Sequence, residues 1–64
     1  MSKPSEGERI EVNLDPYGIE WAPKEAEVVD LLSVQFTCKW VDGTDTLSFC
    51  FYADEGSTWR KMDG

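Results

Sequence analysis

Residues 34–52 read VQFTCKWVDGTDTLSFCFY, and this stretch decides the fold. Apolar and polar side chains alternate on both sides of an Asp-Gly pair at 42–43, and such alternation is typical of half-buried β-strands. Asp-Gly is also a preferred two-residue turn between antiparallel strands. The stretch therefore predicts a β-hairpin formed by residues 34–41 and 45–52.

The apolar residues of the two strands set the predicted register. Closing the hairpin at the Asp-Gly turn places Phe36 opposite Phe49, so that apolar side chains meet apolar side chains along both strands. A four-residue loop over 42–45 shifts the pairing by two residues and leaves the same side chains on each face, because strand side chains alternate with a period of two. In either register Cys50 faces away from Cys38, which predicts two free thiols on opposite faces of the hairpin.

Residues 23–32 are predicted to form the one helix. Pro23 suits a first helical position, and neither glycine nor a second proline interrupts the residues that follow. The apolar residues of the segment fill one arc of a helical wheel, while Glu27 and Asp30 lie on the opposite side. The residue before the proline is a poor helix cap, and the adjacent valines at 28–29 can instead begin a long strand, so a long strand stays open as the alternative.

Two further alternating segments complete an α+β fold. The predicted architecture is a three- or four-stranded antiparallel sheet with the helix packed on its apolar face, and its strands are 9–14, 34–41, 45–52 and 58–62. The whole chain, 1–64, is expected to be a single small domain in which residues 1–8 form a flexible tail. The predicted core consists of Ile10, Val12, Leu14, Val28, Leu31, Leu32, Val34, Phe36, Phe49 and Phe51.

The composition limits the classes of function. The 64 residues contain 13 Asp and Glu, 6 Lys and Arg and no histidine, which gives a formal net charge of -7. A field this negative repels nucleic acids and anionic membranes. No apolar run approaches the roughly 20 residues that span a bilayer, and the N-terminal stretch lacks the apolar segment of a secretory signal. We therefore expect a soluble cytoplasmic protein that binds neither nucleic acid nor membranes directly.

The sequence indicates no catalytic, metal or cofactor site. Asp42 with Asp45, and Asp54 with Glu55, are pairs of carboxylates that can in principle transfer protons or hold a divalent cation. Both pairs lie in predicted turns, where Asp and Gly are favoured for backbone reasons alone. We therefore expect a non-enzymatic protein with no metal and no cofactor.

The excess of negative charge has two interpretations. A net charge with a magnitude of roughly 2–8 is ordinary for the solubility of a small domain. Alternatively, carboxylates displayed on a helix face and at loop tips imitate a row of DNA phosphates and occupy the nucleic-acid-binding cleft of another protein. Such a ligand uses the electrostatic contribution that dominates protein–DNA affinity.

In its general character the whole chain resembles small acidic inhibitor proteins of phages and mobile elements. The likeness rests on its shortness, its acidity, the lack of histidine and its many strands, and not on an alignable motif. This group includes anti-CRISPR proteins that mimic double-stranded DNA and block type I CRISPR surveillance complexes. The resemblance implies an inhibitor that acts in the host cytoplasm and binds a basic nucleic-acid-binding protein or complex.

The predicted function is therefore a DNA-mimicking inhibitor that works as a monomer. Its expected contacts are carboxylates that accept hydrogen bonds from Lys or Arg, namely Glu20, Glu25, Glu27, Asp30, Asp42, Asp45, Asp54 and Glu55. The alternative, from another class, is a small assembly or adaptor domain. It would bind a protein partner through an exposed aromatic sheet face that contains Trp40, Tyr52 and Trp59.

Overall fold

A computed structural model describes residues 3–62. Their five strands form a single antiparallel sheet that curls into a half-barrel. The spatial order of the strands is β4-β3-β2-β1-β5, so β4 and β5 form the two edges. A 3-10 turn, Tyr52–Asp54, precedes the last strand. The strands are β1 Arg9–Asn13, β2 Pro23–Leu31, β3 Gln35–Trp40, β4 Leu47–Phe51 and β5 Trp59–Lys61.

The predicted α+β class is wrong, because the segment expected to be a helix is the central strand β2. Ala26 and Val28 are buried on one face of β2, and hydrogen bonding to β1 and β3 on both sides outweighs a weak helical preference that lacks a cap. A register shift between Val28 and Asp30 marks a β-bulge at Val29. The extra residue breaks the period of two, which is why residues 28–32 resemble one arc of a helix.

The predicted hairpin exists, but its register is displaced by one residue. Phe36 pairs with Cys50, and Thr37 pairs with Phe49. The reason lies in the loop, where the Asp42 carboxylate accepts hydrogen bonds from the Thr44 backbone N–H at 2.9 Å and from the Thr44 hydroxyl at 2.6 Å. This tight turn leaves an odd number of residues between the paired strands, and a shift of one residue moves every side chain of β4 to the other face.

The concave face of the sheet holds the core. Phe36 lies between Trp59, with ring centroids 5.0 Å apart and nearly perpendicular, and Tyr52, with centroids 5.7 Å apart. These three rings fill the narrow interior, so small side chains fit beside them better than further rings do. The buried residues are Ile10, Val12, Ala26, Val28, Phe36, Cys38, Cys50, Tyr52 and Trp59.

Part of the predicted core is wrong. Ile10, Val12, Val28 and Phe36 are buried as expected, whereas six other predicted core residues are exposed by 40% or more: Leu14, Leu31, Leu32, Val34, Phe49 and Phe51. Each of the six lies on the convex face of β4, at the last residue of a strand or just beyond a strand end, where the curled sheet does not enclose it. Curvature, and not hydrophobicity, decides which apolar residues are enclosed.

Cys38 and Cys50 are both free thiols, and both are buried on the concave face of the sheet. The prediction of opposite faces is therefore wrong, for the same one-residue shift in register. The Cys50 thiol donates a hydrogen bond to the Cys38 sulfur. This bond lowers the pKa of Cys38 by more than burial raises it. The same bond and burial both raise the pKa of Cys50. The pair behaves as part of the hydrophobic core.

The segment between β4 and β5 crosses the open side of the half-barrel. Trp59 Nε1 donates to the Phe51 carbonyl at 2.9 Å, and the Tyr52 hydroxyl donates to the Leu32 carbonyl at 2.7 Å. Both bonds give a buried aromatic side chain a partner for its polar atom. Of the tail predicted for residues 1–8, the first two lie outside the described residues, and Gly7 N–H donates to the Val28 carbonyl at 2.7 Å.

Between residues 3 and 62, no helix has the length and apolar character needed to cross a membrane.

Candidate protein-interaction surface

The convex face of the sheet carries a pattern of opposite charges that pair with one another. Arg9 Nη1 lies 2.9 Å from a carboxylate oxygen of Glu25, and Arg60 Nε lies 2.7 Å from one of Glu11. Lys39 stands opposite Glu27 in the β2–β3 register. The centre of the sheet is thus electrically balanced and presents no continuous acidic surface.

A further ion pair involves the β3–β4 loop. Lys24 Nζ lies 3.1 Å from Asp42, whose carboxylate already accepts two hydrogen bonds from Thr44. The Thr44 hydroxyl and backbone N–H, followed by Lys24, stabilise the ionised carboxylate and lower the pKa of Asp42 to about 2. The charge of Asp42 is used inside the turn that fixes the hairpin register.

The structure disperses the carboxylates that the sequence singles out. Glu25, Glu27 and Asp30 lie on β2, Asp42 and Asp45 in the β3–β4 loop, Asp54 and Glu55 around the turn before β5, and Glu20 in the segment between β1 and β2.

Two carboxylates of this set converge. Glu27 and Asp45 line a shallow groove of about 380 Å³, together with the cations Arg9 and Lys39 and the ring of Trp40. Mixed charges in the groove do not reproduce a row of phosphates. Within residues 3–62, no three Cys, Asp or Glu side chains are grouped so as to hold a metal ion.

The largest departure from the predicted surface is an apolar ridge on β4. Leu47, Phe49 and Phe51 are 57%, 57% and 43% exposed on the convex face, and we call these three residues the β4 ridge. The rings of Phe49 and Phe51 contact each other edge to face, with centroids 5.9 Å apart. Exposed aromatic groups that contact one another in this way are typical of protein-binding surfaces.

The outer edge of β4 pairs with no strand of the described residues. Tyr52 N–H donates to the Val34 carbonyl of the neighbouring strand at 3.1 Å. Because backbone groups alternate in direction along a strand, residues 48 and 50 also bond to β3, and residues 47, 49 and 51 point outward. The bond from Trp59 Nε1 to the outward carbonyl of Phe51 agrees with this alternation.

The aromatic surface predicted for the adaptor alternative lies elsewhere than expected. Trp59 and Tyr52 are buried in the core, and Trp40 is half-buried beneath Lys24, whose Nζ lies 4.8 Å from the centre of a Trp40 ring. An exposed aromatic sheet face does exist, but the β4 ridge forms it. A separate pair of exposed apolar residues, Tyr17 and Ile19, lies in the segment between β1 and β2.

The sequence conceals the β4 ridge because its residues alternate like a core strand. The one signal that could have located it is the Asp42-Gly43-Thr44 turn, since an Asp side chain that bonds to the residue two positions on favours a three-residue loop. Such a loop would have shifted the register and moved Phe49 outward.

No protein-family profile matches this chain, and no significant match was found among curated proteins or among solved structures.

Proposed function

We propose that this chain is a non-enzymatic assembly module that binds a protein partner by adding the partner's strand to β4. The observation that carries the proposal is the coincidence, on one edge strand, of outward backbone groups and the exposed β4 ridge. In strand addition, backbone hydrogen bonds supply affinity and alternate side chains supply specificity.

The two edges of the sheet differ in a way that supports this proposal. Natural sheets protect free edges with short strands and charged side chains, because an exposed edge otherwise pairs with other chains. The β5 edge follows that rule, since it has three residues and includes Arg60 and Lys61. The β4 edge, LSFCF, has five residues with neither charge nor proline. Because only one of the two edges is protected, the unprotected β4 edge is the one suited to pairing with a partner strand.

The β4 ridge has enough apolar surface for this function. About 100 Å² remains open to water on each phenylalanine of the ridge, if a full aromatic side chain presents roughly 200 Å². At about 25 cal/mol per Å², covering one such ring contributes roughly 2.5 kcal/mol before the cost of association. Three side chains and several backbone hydrogen bonds are then sufficient for a specific contact of moderate strength.

Capture experiments with matched variants test the proposal. Phe49→Lys places a charge at the centre of the ridge, and Ile19→Lys makes the same change in charge at a fully exposed residue outside it. We expect wild type and Ile19→Lys to retain the same partner from an extract of the source cell, whereas Phe49→Lys loses it. Retention by an apolar and backbone contact should not fall when the salt concentration is raised. Equal retention by both variants would refute the use of β4.

As a second candidate, we propose that the loops bind a basic nucleic-acid-binding protein as a DNA mimic. The supporting observation concerns where the charge lies. The positive and negative charges of the three ion pairs and of Glu27 with Lys39 cancel, so the net charge of -7 resides on the remaining residues. Asp45 and Asp54 are two such carboxylates in loops and turns. Reversal of both to Lys should weaken this binding sharply, and binding should fall steeply with added salt. Insensitivity to both changes excludes the mimic.

A further inference from the structure

We propose that the strand that occupies the β4 edge is β4 of a second copy of this chain. The two strands run antiparallel about a two-fold axis at Phe49 and join two five-stranded sheets into one continuous sheet. This inference rests on the proposed function, because it names the partner of the same edge. It replaces the monomer expected from the sequence with a reversible dimer.

The backbone excludes shifts by one residue, and pairing all three outward residues of β4 selects one of the remaining registers. The outward groups of β4 belong to residues 47, 49 and 51. A two-fold axis at Phe49 sets Phe49 opposite its counterpart and Leu47 opposite Phe51, so each outward N–H faces an outward carbonyl. The Phe51 carbonyl already accepts a bond from Trp59 Nε1 and has a second lone pair for the partner strand. A shift by one residue would match outward groups with inward ones.

The side chains agree with the same register. The two β4 ridges become neighbours on one convex face, where six apolar side chains cover one another. The next row of that face, on β3, consists of Gln35, Thr37 and Lys39, so that no carboxylate borders the ridge on this strand. Residues 47–51 carry no charge at all, and two copies with a net charge of -7 each therefore meet along the one described strand that has no charged side chain.

Self-complementarity favours a second copy over an unrelated strand. An isologous contact requires a surface that matches itself after a half-turn, and a strand whose outward groups and apolar side chains are symmetric about its middle residue meets that requirement. The ridge is small compared with the 1,200–2,000 Å² that standard stable interfaces bury. Repulsion between two acidic bodies opposes the contact further. The dimer is therefore weak, depends on concentration, and is strengthened by salt.

Sedimentation of the purified chain over a range of concentrations tests the dimer. The mass should rise from 7.3 kDa towards twice that value, and the rise should occur at lower concentration in high salt. Phe49→Lys sets two like charges directly opposite each other and should weaken self-association about tenfold or more. Ile19→Lys, with the same change in charge, should leave it unchanged. A monomer at every concentration, or equal self-association of the two variants, overturns the proposal.

Amide hydrogen exchange of the wild-type protein gives a second test that needs no variant. In the dimer, amides 47, 49 and 51 should become protected as concentration rises, whereas amides 48 and 50 should be protected at all concentrations by their bonds to β3. Dimerisation without protection at 47, 49 and 51 assigns the contact to another surface and overturns the proposal. If the purified chain stays monomeric but the Phe49-dependent capture yields a different protein, the second copy is excluded and strand addition at β4 stands.

Discussion

Phe36 and Phe49 provide the sharpest test of the hairpin register, because the sequence predicts both to be buried and the structure buries only one. Phe36 is 0% exposed and packs between Tyr52 and Trp59, whereas Phe49 is 57% exposed on the convex face. Truncation of each phenylalanine to alanine therefore distinguishes the observed register from the predicted one. In the predicted register both variants would lose a large part of the free energy of unfolding, whereas in the observed register only Phe36→Ala does.

The expected magnitudes follow from burial. Phe36→Ala removes a fully enclosed ring and should cost about 3–5 kcal/mol, which is comparable to the total stability of about 3–5 kcal/mol expected for a domain of this size. Phe49 has withdrawn less than half of a side-chain surface of roughly 200 Å² from water, so Phe49→Ala should cost about 1–2 kcal/mol. The first variant should be largely unfolded, and the second should fold.

Urea unfolding at 25 °C, followed by tryptophan fluorescence and far-ultraviolet circular dichroism, measures both variants against wild type. Ile19→Ala serves as the control, because its fully exposed side chain should change the midpoint little. If Phe49→Ala costs as much as Phe36→Ala, the register described above is refuted. If Phe36→Ala unfolds at the wild-type midpoint, the core assignment is refuted as well.

Three further perturbations test separate features. Trp59→Phe keeps a ring in the core but removes the bond to the Phe51 carbonyl, and chemical denaturation should show a loss of about 1–3 kcal/mol; an unchanged midpoint would contradict the role of that bond. Thr44→Val should raise the pKa of Asp42 from about 2 towards its ordinary value, as measured by NMR titration. Because the pKa of Asp42 is lower in the folded than in the unfolded wild type, this carboxylate contributes stability above about pH 4, and the contribution is lost as the pH falls towards 2. If Asp42 titrates in Thr44→Val as it does in wild type, the Thr44 contact is excluded. Both buried thiols should react with a soluble disulfide reagent only as fast as the domain opens, and rapid labelling of the native protein would contradict their burial.

The strands could be predicted from the sequence wherever one local pattern determined the outcome. Residues 9–14 and 34–41 alternate cleanly, and both contain strands that bury Ile10, Val12 and Phe36 as expected, although Leu14 and Val34 at their ends are exposed. The segment 23–32 could not be assigned in this way, because its strand is stabilised by two neighbours distant in sequence and its alternation is interrupted by a bulge. Long-range pairing overrides local preference in such a segment.

The candidate surface was less accessible to sequence reasoning than the fold. Its residues satisfy the usual criterion for a core strand, and only the hydrogen bonds between Asp42 and Thr44 distinguish the correct register from one that buries Phe49. The charge was counted correctly, but its distribution depends on which cation each carboxylate meets. Arg9 and Glu25, for example, are 16 residues apart in sequence and become partners only because β1 and β2 pair.

The pairing of β1 with β5 has a consequence for how fast the protein folds. Ile10 and Lys61 are cross-strand partners, so almost the whole chain must close into a loop before Trp59 can enter the core. The entropy of that closure is lost before the contacts that compensate for it form, and sheets rich in such non-local pairs typically fold in milliseconds to seconds. A circular permutant that links residue 62 to residue 3 and opens the chain between β1 and β2 makes β5 and β1 adjacent in sequence. Its refolding should be faster than that of the natural order, at similar equilibrium stability.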